Sequence, residues 1–158
     1  MANKQIIELV AQFKSIYEGE PWFGNSMREI LNEVSPEIAF GAPTKKAHSL
    51  AQIVWHMVYW RQSLIKHLAG DIGYKGSMKS EDNWSTAERL LALGWPAIQE
   101  LLHTSQQQLV ELLEQQTDDL LELAYSEKAT YRQLINGIIQ HDLYHLGQVA
   151  YLKSIFSE

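Results

Sequence analysis

The chain contains no cysteine, so disulfides, thiolate-held metals, iron–sulfur clusters and cysteine nucleophiles are excluded together. Any metal must be held by His, Asp or Glu. Proline occurs four times and valine six times against twenty leucines, a balance that favours helix over sheet. No stretch approaches the ~20 apolar residues of a membrane span. The opening Met1-Ala2-Asn3-Lys4-Gln5 leads into a charged amphipathic segment without the apolar run of a signal peptide, so a soluble, cytoplasmic protein with no membrane partner is expected. Positive charge is scarce as well: 13 Lys and Arg face 19 Asp and Glu, the net charge is -6, and the longest basic run is Lys45-Lys46. Nucleic acid is not an expected partner, because phosphate binding needs a clustered cationic face. What is present is a 158-residue chain, 46% apolar, enough for one domain over residues 1–158 and too little for two.

Ile6, Leu9, Val10, Phe13, Ile16 and Tyr17 repeat at helical spacing until Gly19-Glu20-Pro21 interrupts them. Met27, Ile30, Leu31 and Val34 share a second face after Trp22-Phe23, so this region is one kinked helix or two pieces; residues 40–46 read as loop. Ser49-Leu50-Ala51-Gln52 is a capping box opening a helix with the stripe Ile53, Met57, Trp60, Leu64 and Leu68, and Gly70 ends it. Residues 71–83, rich in Gly, Ser and charge, are long enough to cross the end of a bundle or to form a lid. A second box is expected at Ser85-Thr86-Ala87-Glu88, and Trp95-Pro96 either kinks the helix that follows or begins a new one. Gln106, Gln107 and Gln108 read as a solvated face. Thr130-Tyr131-Arg132-Gln133 is a third box, and its helix runs to about Phe156. With no strand-like alternation, the predicted fold is all-α, a four-helix bundle with an additional short or kinked N-terminal helix.

The last helix carries the most informative pattern. Leu134, Ile138, His141, His145, Gln148 and Leu152 form a heptad-type seam, and three consecutive members are polar. Burying them costs several kcal/mol unless each finds a partner. His141 and His145 lie about 6 Å apart along the axis and about 40° around it, so both imidazoles reach one point. His-x-x-x-His supplies two ligands to a zinc-like ion in some helices and a paired core in others. A metal needs a further ligand, for which His56, on the edge of the buried face of its helix, is the best placed. His67 lies about 16 Å further along that helix, and His48 and His103 read as surface or boundary residues.

Tyr17-Glu18-Gly19-Glu20-Pro21-Trp22, the segment from His48 to His56 with Trp60-Arg61, and the segment from Gly137 to Gln148 together resemble the DinB/YfiT-like superfamily of small bacterial four-helix proteins, named for damage-inducible expression. The resemblance covers nearly the whole chain. It implies that His56, His141 and His145 bind a divalent metal at one end of the bundle, with a coordination position left for water or substrate. Zinc or nickel leads the list of ions, with iron and manganese behind. Asp142 is then a general base or a group that orients a ligand imidazole, and Gln148 contacts an ion-bound water or the backbone. Trp60, Tyr59 and Trp22 are either core or the wall of a substrate pocket.

Some members of the superfamily are transferases or isomerases using low-molecular-weight thiols such as bacillithiol or mycothiol, and others are described as hydrolases. The resemblance therefore implies a metal-dependent thiol S-transferase acting on small molecules, with metal-dependent hydrolysis or noncatalytic, stress-associated metal binding as alternatives. It also implies a homodimer, to which five tryptophans on a small chain add weak support.

Overall fold

The structure is a computed structural model that describes residues 3–157. Four long helices make the frame: α1 (Lys4–Glu18), α4 (Leu50–Leu68), α6 (Trp95–Glu114) and α7 (Tyr131–Phe156). α4 packs against both α6 and α7, and α1 closes the ring against the same two. Phe13, Met57, Leu102 and Ile135, one from each helix, are at most 1% exposed in a shared core. No helix among the described residues is long and apolar enough to cross a membrane.

The N-terminal region resolves into separate short helices rather than one kinked helix. Ser26 caps α2 (Met27–Asn32) through a capping box with Glu29. Ser35 then caps α3 (Pro36–Phe40), with Pro36 in the first turn, so Phe40 ends a helix where the sequence reading placed loop. Two side chains of α6 bind carbonyls at the end of this region: Trp95 Nε1 donates to Val34 O at 2.9 Å and Gln99 Nε2 to Leu31 O at 3.1 Å. The two alternatives at Trp95-Pro96 are settled in favour of a new helix. Gly94, at φ 86°, turns the chain between α5 (Ala87–Leu93) and α6.

Other sequence expectations need correction. The cap of α5 is Thr86, whose hydroxyl accepts from Arg89 N, while Ser85 is buried behind it. Gln106 is not solvated: it is 3% exposed and its Nε2 donates to Phe13 O on α1 at 3.1 Å. A 3-10 turn (Asp118–Glu122) and a small antiparallel hairpin, β1 (Ala124–Ser126) with β2 (Ala129–Thr130), precede α7. The hairpin delivers Thr130 to its predicted place as the cap of α7.

Residues 70–86 neither cross the bundle end nor hang free as a lid. They run back along α4, whose side chains bind their main chain from its C-terminal end to its N-terminal end: His67 to Tyr74 O, Tyr59 to Ser77, the neighbours Trp55 and His56 to Asp82 O and Asn83 O, and Gln52 to Ser85 O. An irregular segment has no ladder of its own, so these bonds hold it to α4, and the one from His56 satisfies a buried carbonyl. Gly76 marks the closest approach, since a Cβ there would lie 2.6 Å from Ser63 Oγ and 2.9 Å from Trp60 Cζ3.

Candidate metal centre

α4 contributes His56 and α7 contributes His141 and His145, from the seam position where apolar residues give way. His141 Nε2 lies 3.1 Å from His56 Nε2 and 3.1 Å from His145 Nε2. The outer nitrogens decide what those inner atoms carry. His56 Nδ1 is 3.0 Å from the Asn83 carbonyl, which only accepts, so the proton of the neutral ring is on Nδ1 and the Nε2 lone pair points inward. His145 Nδ1 donates in the same way to Gln148 Oε1 at 2.6 Å.

Electrostatics keep the rings neutral. Burial, reinforced by the His145 and His56 rings and the Arg61 guanidinium, pulls His141 down to about 3. Burial likewise lowers His56 and His145. Two inward lone pairs thus flank His141, which has one proton to offer, and its buried Nδ1 has no partner. The three neutral rings thus bring at most one proton to the point they share, which leaves hydrogen-bonding capacity unsatisfied, and a cation of charge two satisfies it. Ligand nitrogens about 2.0–2.1 Å from a tetrahedral ion stand about 3.3 Å apart, close to the spacing found here. The donor set fits a divalent metal of borderline softness.

A buried ion pair sets the relative placement of the two helices. Arg61, on α4 just beyond His56, is 1% exposed, and its Nε and Nη2 donate to Asp142 Oδ2 at 3.0 and 2.8 Å. Its Nη1 reaches Ser105 Oγ on α6 at 3.0 Å. Asp142 adjoins His141, so one guanidinium ties α4, α6 and α7 together one turn from the histidines.

The imidazoles form the floor of a cavity of about 760 Å³ bounded by aromatic and apolar side chains. Trp84 forms a wall, stacked on His56 at 3.8 Å and 7° and, by its opposite face, on His48 at 3.7 Å and 4°. The DinB superfamily profile matches residues 23–149, a span that includes all three histidines.

The chain belongs to the DinB superfamily. No curated protein matches it. In this DinB domain the structure brings together His56, His141, His145, Gln148 and Trp60, all on the cavity surface. The remaining residues singled out from the sequence lie elsewhere. Asp142 is 1% exposed and turned to Arg61, away from the cavity, so it has no access to a substrate proton. Burial raises its carboxyl while Arg61 pulls the other way. Tyr59 is occupied by the irregular segment of residues 70–86: its hydroxyl accepts from Ser77 N at 2.8 Å and donates to Ser77 O at 3.2 Å. Trp22 is 102% exposed and lines no part of the cavity, because the chain between α1 and α2 holds it out in solvent.

His67 and His103 are separate from the centre. His67 Nε2 donates to Tyr74 O at 2.7 Å, and His103 Nδ1 lies 3.1 Å from the Tyr17 hydroxyl. Sequence reasoning missed Trp84, Tyr144 and Tyr151 and dismissed His48, all four of which line the cavity. Tyr144 and Tyr151 carried a signal, being seven residues apart on α7 and so on one face. Trp84, in an irregular segment, carried none.

Proposed function

We propose that this DinB domain is a divalent-metal-dependent S-transferase that joins a low-molecular-weight thiol to a small electrophile. The observation that supports it most is the set of three neutral imidazole nitrogens converging on the floor of a small-molecule-sized cavity. His56, His141 and His145 would hold zinc or nickel. Such an ion, when bound, makes a coordinating thiol more acidic and so supplies thiolate at neutral pH. Asn83 O and Gln148 Oε1 fix the tautomers of His56 and His145, which presents a lone pair from each ring without rearrangement. The aromatic walls border the reacting atoms, and the thiol proton leaves to solvent through the mouth of the cavity. In the transfer the sulfur–carbon bond forms as the carbon–leaving-group bond breaks; a halide departs with the electron pair, and an epoxide oxygen keeps it as an attached alkoxide that takes up a proton from solvent.

The absence of cysteine supports an external source of sulfur. Incubation of zinc- or nickel-loaded protein with bacillithiol and a panel of haloaromatics and epoxides, with His141→Ala as control, tests the reading. Conjugation faster than in the control is expected. Equal rates across several thiols refute the transferase and leave hydrolysis or metal binding alone.

A further inference from the structure

We infer that the electrophile taken by this cavity is an uncharged aromatic molecule, and that the cavity accepts no ionised group away from the three imidazoles. The inference rests on the metal-dependent reading above and narrows its substrate class.

Charge is the first observation. None of the side chains lining the cavity is Lys, Arg, Asp or Glu. Its polar groups are four imidazoles, Gln148, two tyrosine hydroxyls and the indole N–H groups of Trp60 and Trp84, and the Gln148 carbonyl oxygen is already engaged by His145. An ionised substituent docked among the remaining residues would lose water and gain no opposite charge, which is the costliest kind of burial. A single anionic atom is tolerated at one place only, the convergence point of the imidazoles, where a divalent ion compensates it.

Shape is the second. Trp60, Trp84, Tyr144 and Tyr151 surround the cavity, with Met78 and Leu152 between them. Two of the rings are held before any ligand arrives. Trp84 is fixed between His48 and His56, and Trp60 stands edge-on to His56 and His141, with centroids 6.4 Å from each. The other two are free to close on a guest, Tyr144 and Tyr151 being 66% and 68% exposed at the mouth. Aromatic rings prefer edge-to-face or offset contact, and a preorganised aromatic wall binds a flat ring with little ordering cost. At about 760 Å³ the cavity is large enough for a substituted aromatic ring beside the thiol.

The test uses the full chain, zinc-loaded and metal-free, titrated calorimetrically with 4-nitrobenzyl alcohol and with 4-nitrobenzenesulfonate, a probe of similar shape with a fixed negative charge. The alcohol is expected to bind at least tenfold tighter in the metal-free state, where no ion compensates the sulfonate. Tyr151→Ala, a surface change that spares the core, is expected to weaken the alcohol by threefold or more, and Trp22→Ala to leave it unchanged. Sulfonate binding to metal-free protein as tight as the alcohol, no saturable alcohol binding, or no loss in Tyr151→Ala overturns the inference. Zinc content of the same samples reads the metal independently. Alcohol binding with no stoichiometric zinc retained by the zinc-treated sample refutes the metal reading alone, and stoichiometric zinc in that sample with no preference for the alcohol in the metal-free one refutes the aromatic reading alone.

Discussion

Arg61→Met should be among the most destabilising single changes in this protein, and adding Asp142→Leu should recover most of the loss. Both side chains are 1% exposed, and the guanidinium supplies two of its donors to one oxygen, Asp142 Oδ2. The other carboxylate oxygen is buried with no partner. Removing Arg61 therefore leaves a buried carboxyl without any compensation, a change that costs about 3–5 kcal/mol. Against a total stability of about 5–15 kcal/mol this is severe, and a drop in Tm on the order of 10 °C should accompany it. The double variant behaves differently because no charge remains. The Leu102 carbonyl, which Arg61 also reaches, keeps the Ser105 hydroxyl at 2.7 Å, so no acceptor is orphaned there. Replacing a buried pair by apolar groups is often neutral or stabilising, and the double variant should fall within about 2 kcal/mol of the parent. Urea unfolding of metal-free protein followed by circular dichroism gives each free energy, provided the m-value is unchanged. A cost below about 1 kcal/mol for Arg61→Met, or additive effects in the double variant, would refute the account of the pair as a closed, mutually dependent unit.

Two capping boxes, at Ser49 and Thr130, were legible because a hydroxyl before an apolar run and a glutamine three residues later meet the local needs of a helix start. The histidines were legible for a related reason: a seam that switches from Ile138 to His141 and His145 must be compensated in space, and His56 offers the compensation. Arg61 was not. A charged residue on a helix reads as solvent-facing, and its partner is Asp142, 81 residues away. The course of residues 70–86 was hidden for the same reason, since it depends on side chains of α4 binding individual carbonyls, which impose no period on the sequence. Trp84 takes its role from that course alone. Gln106 shows the limit most plainly, because the glutamines beside it are exposed and only the partner carbonyl at Phe13 distinguishes it.

His56→Ala, His141→Ala and His145→Ala should each reduce bound zinc sharply, while His67→Ala and His103→Ala should leave it unchanged; elemental analysis after dialysis decides, and full occupancy in His56→Ala would remove the third ligand. Gln148→Ala should weaken zinc about 10- to 100-fold without unfolding the chain, because it frees the His145 ring to rotate and change tautomer; competition with a chromogenic chelator measures this. The homodimer expected from the superfamily resemblance should appear in sedimentation as twice the 18.1 kDa chain, and a concentration-independent 18.1 kDa species would dispose of it. The stability of metal-free protein should fall as the pH is lowered from about 6.5 toward 3. Burial holds His141 at about 3 in the folded state against an ordinary 6.5, so across that window the unfolded chain binds the extra proton and acid favours unfolding. Above pH 6.5 both states leave the ring neutral and its contribution is constant. Replacing His141 by Ala removes this proton uptake, so denaturation midpoints measured from pH 7 to 4 should decline less steeply in the variant than in the parent. Parallel declines would show that the imidazole titrates normally in the folded protein, and that the three rings do not converge as neutral donors.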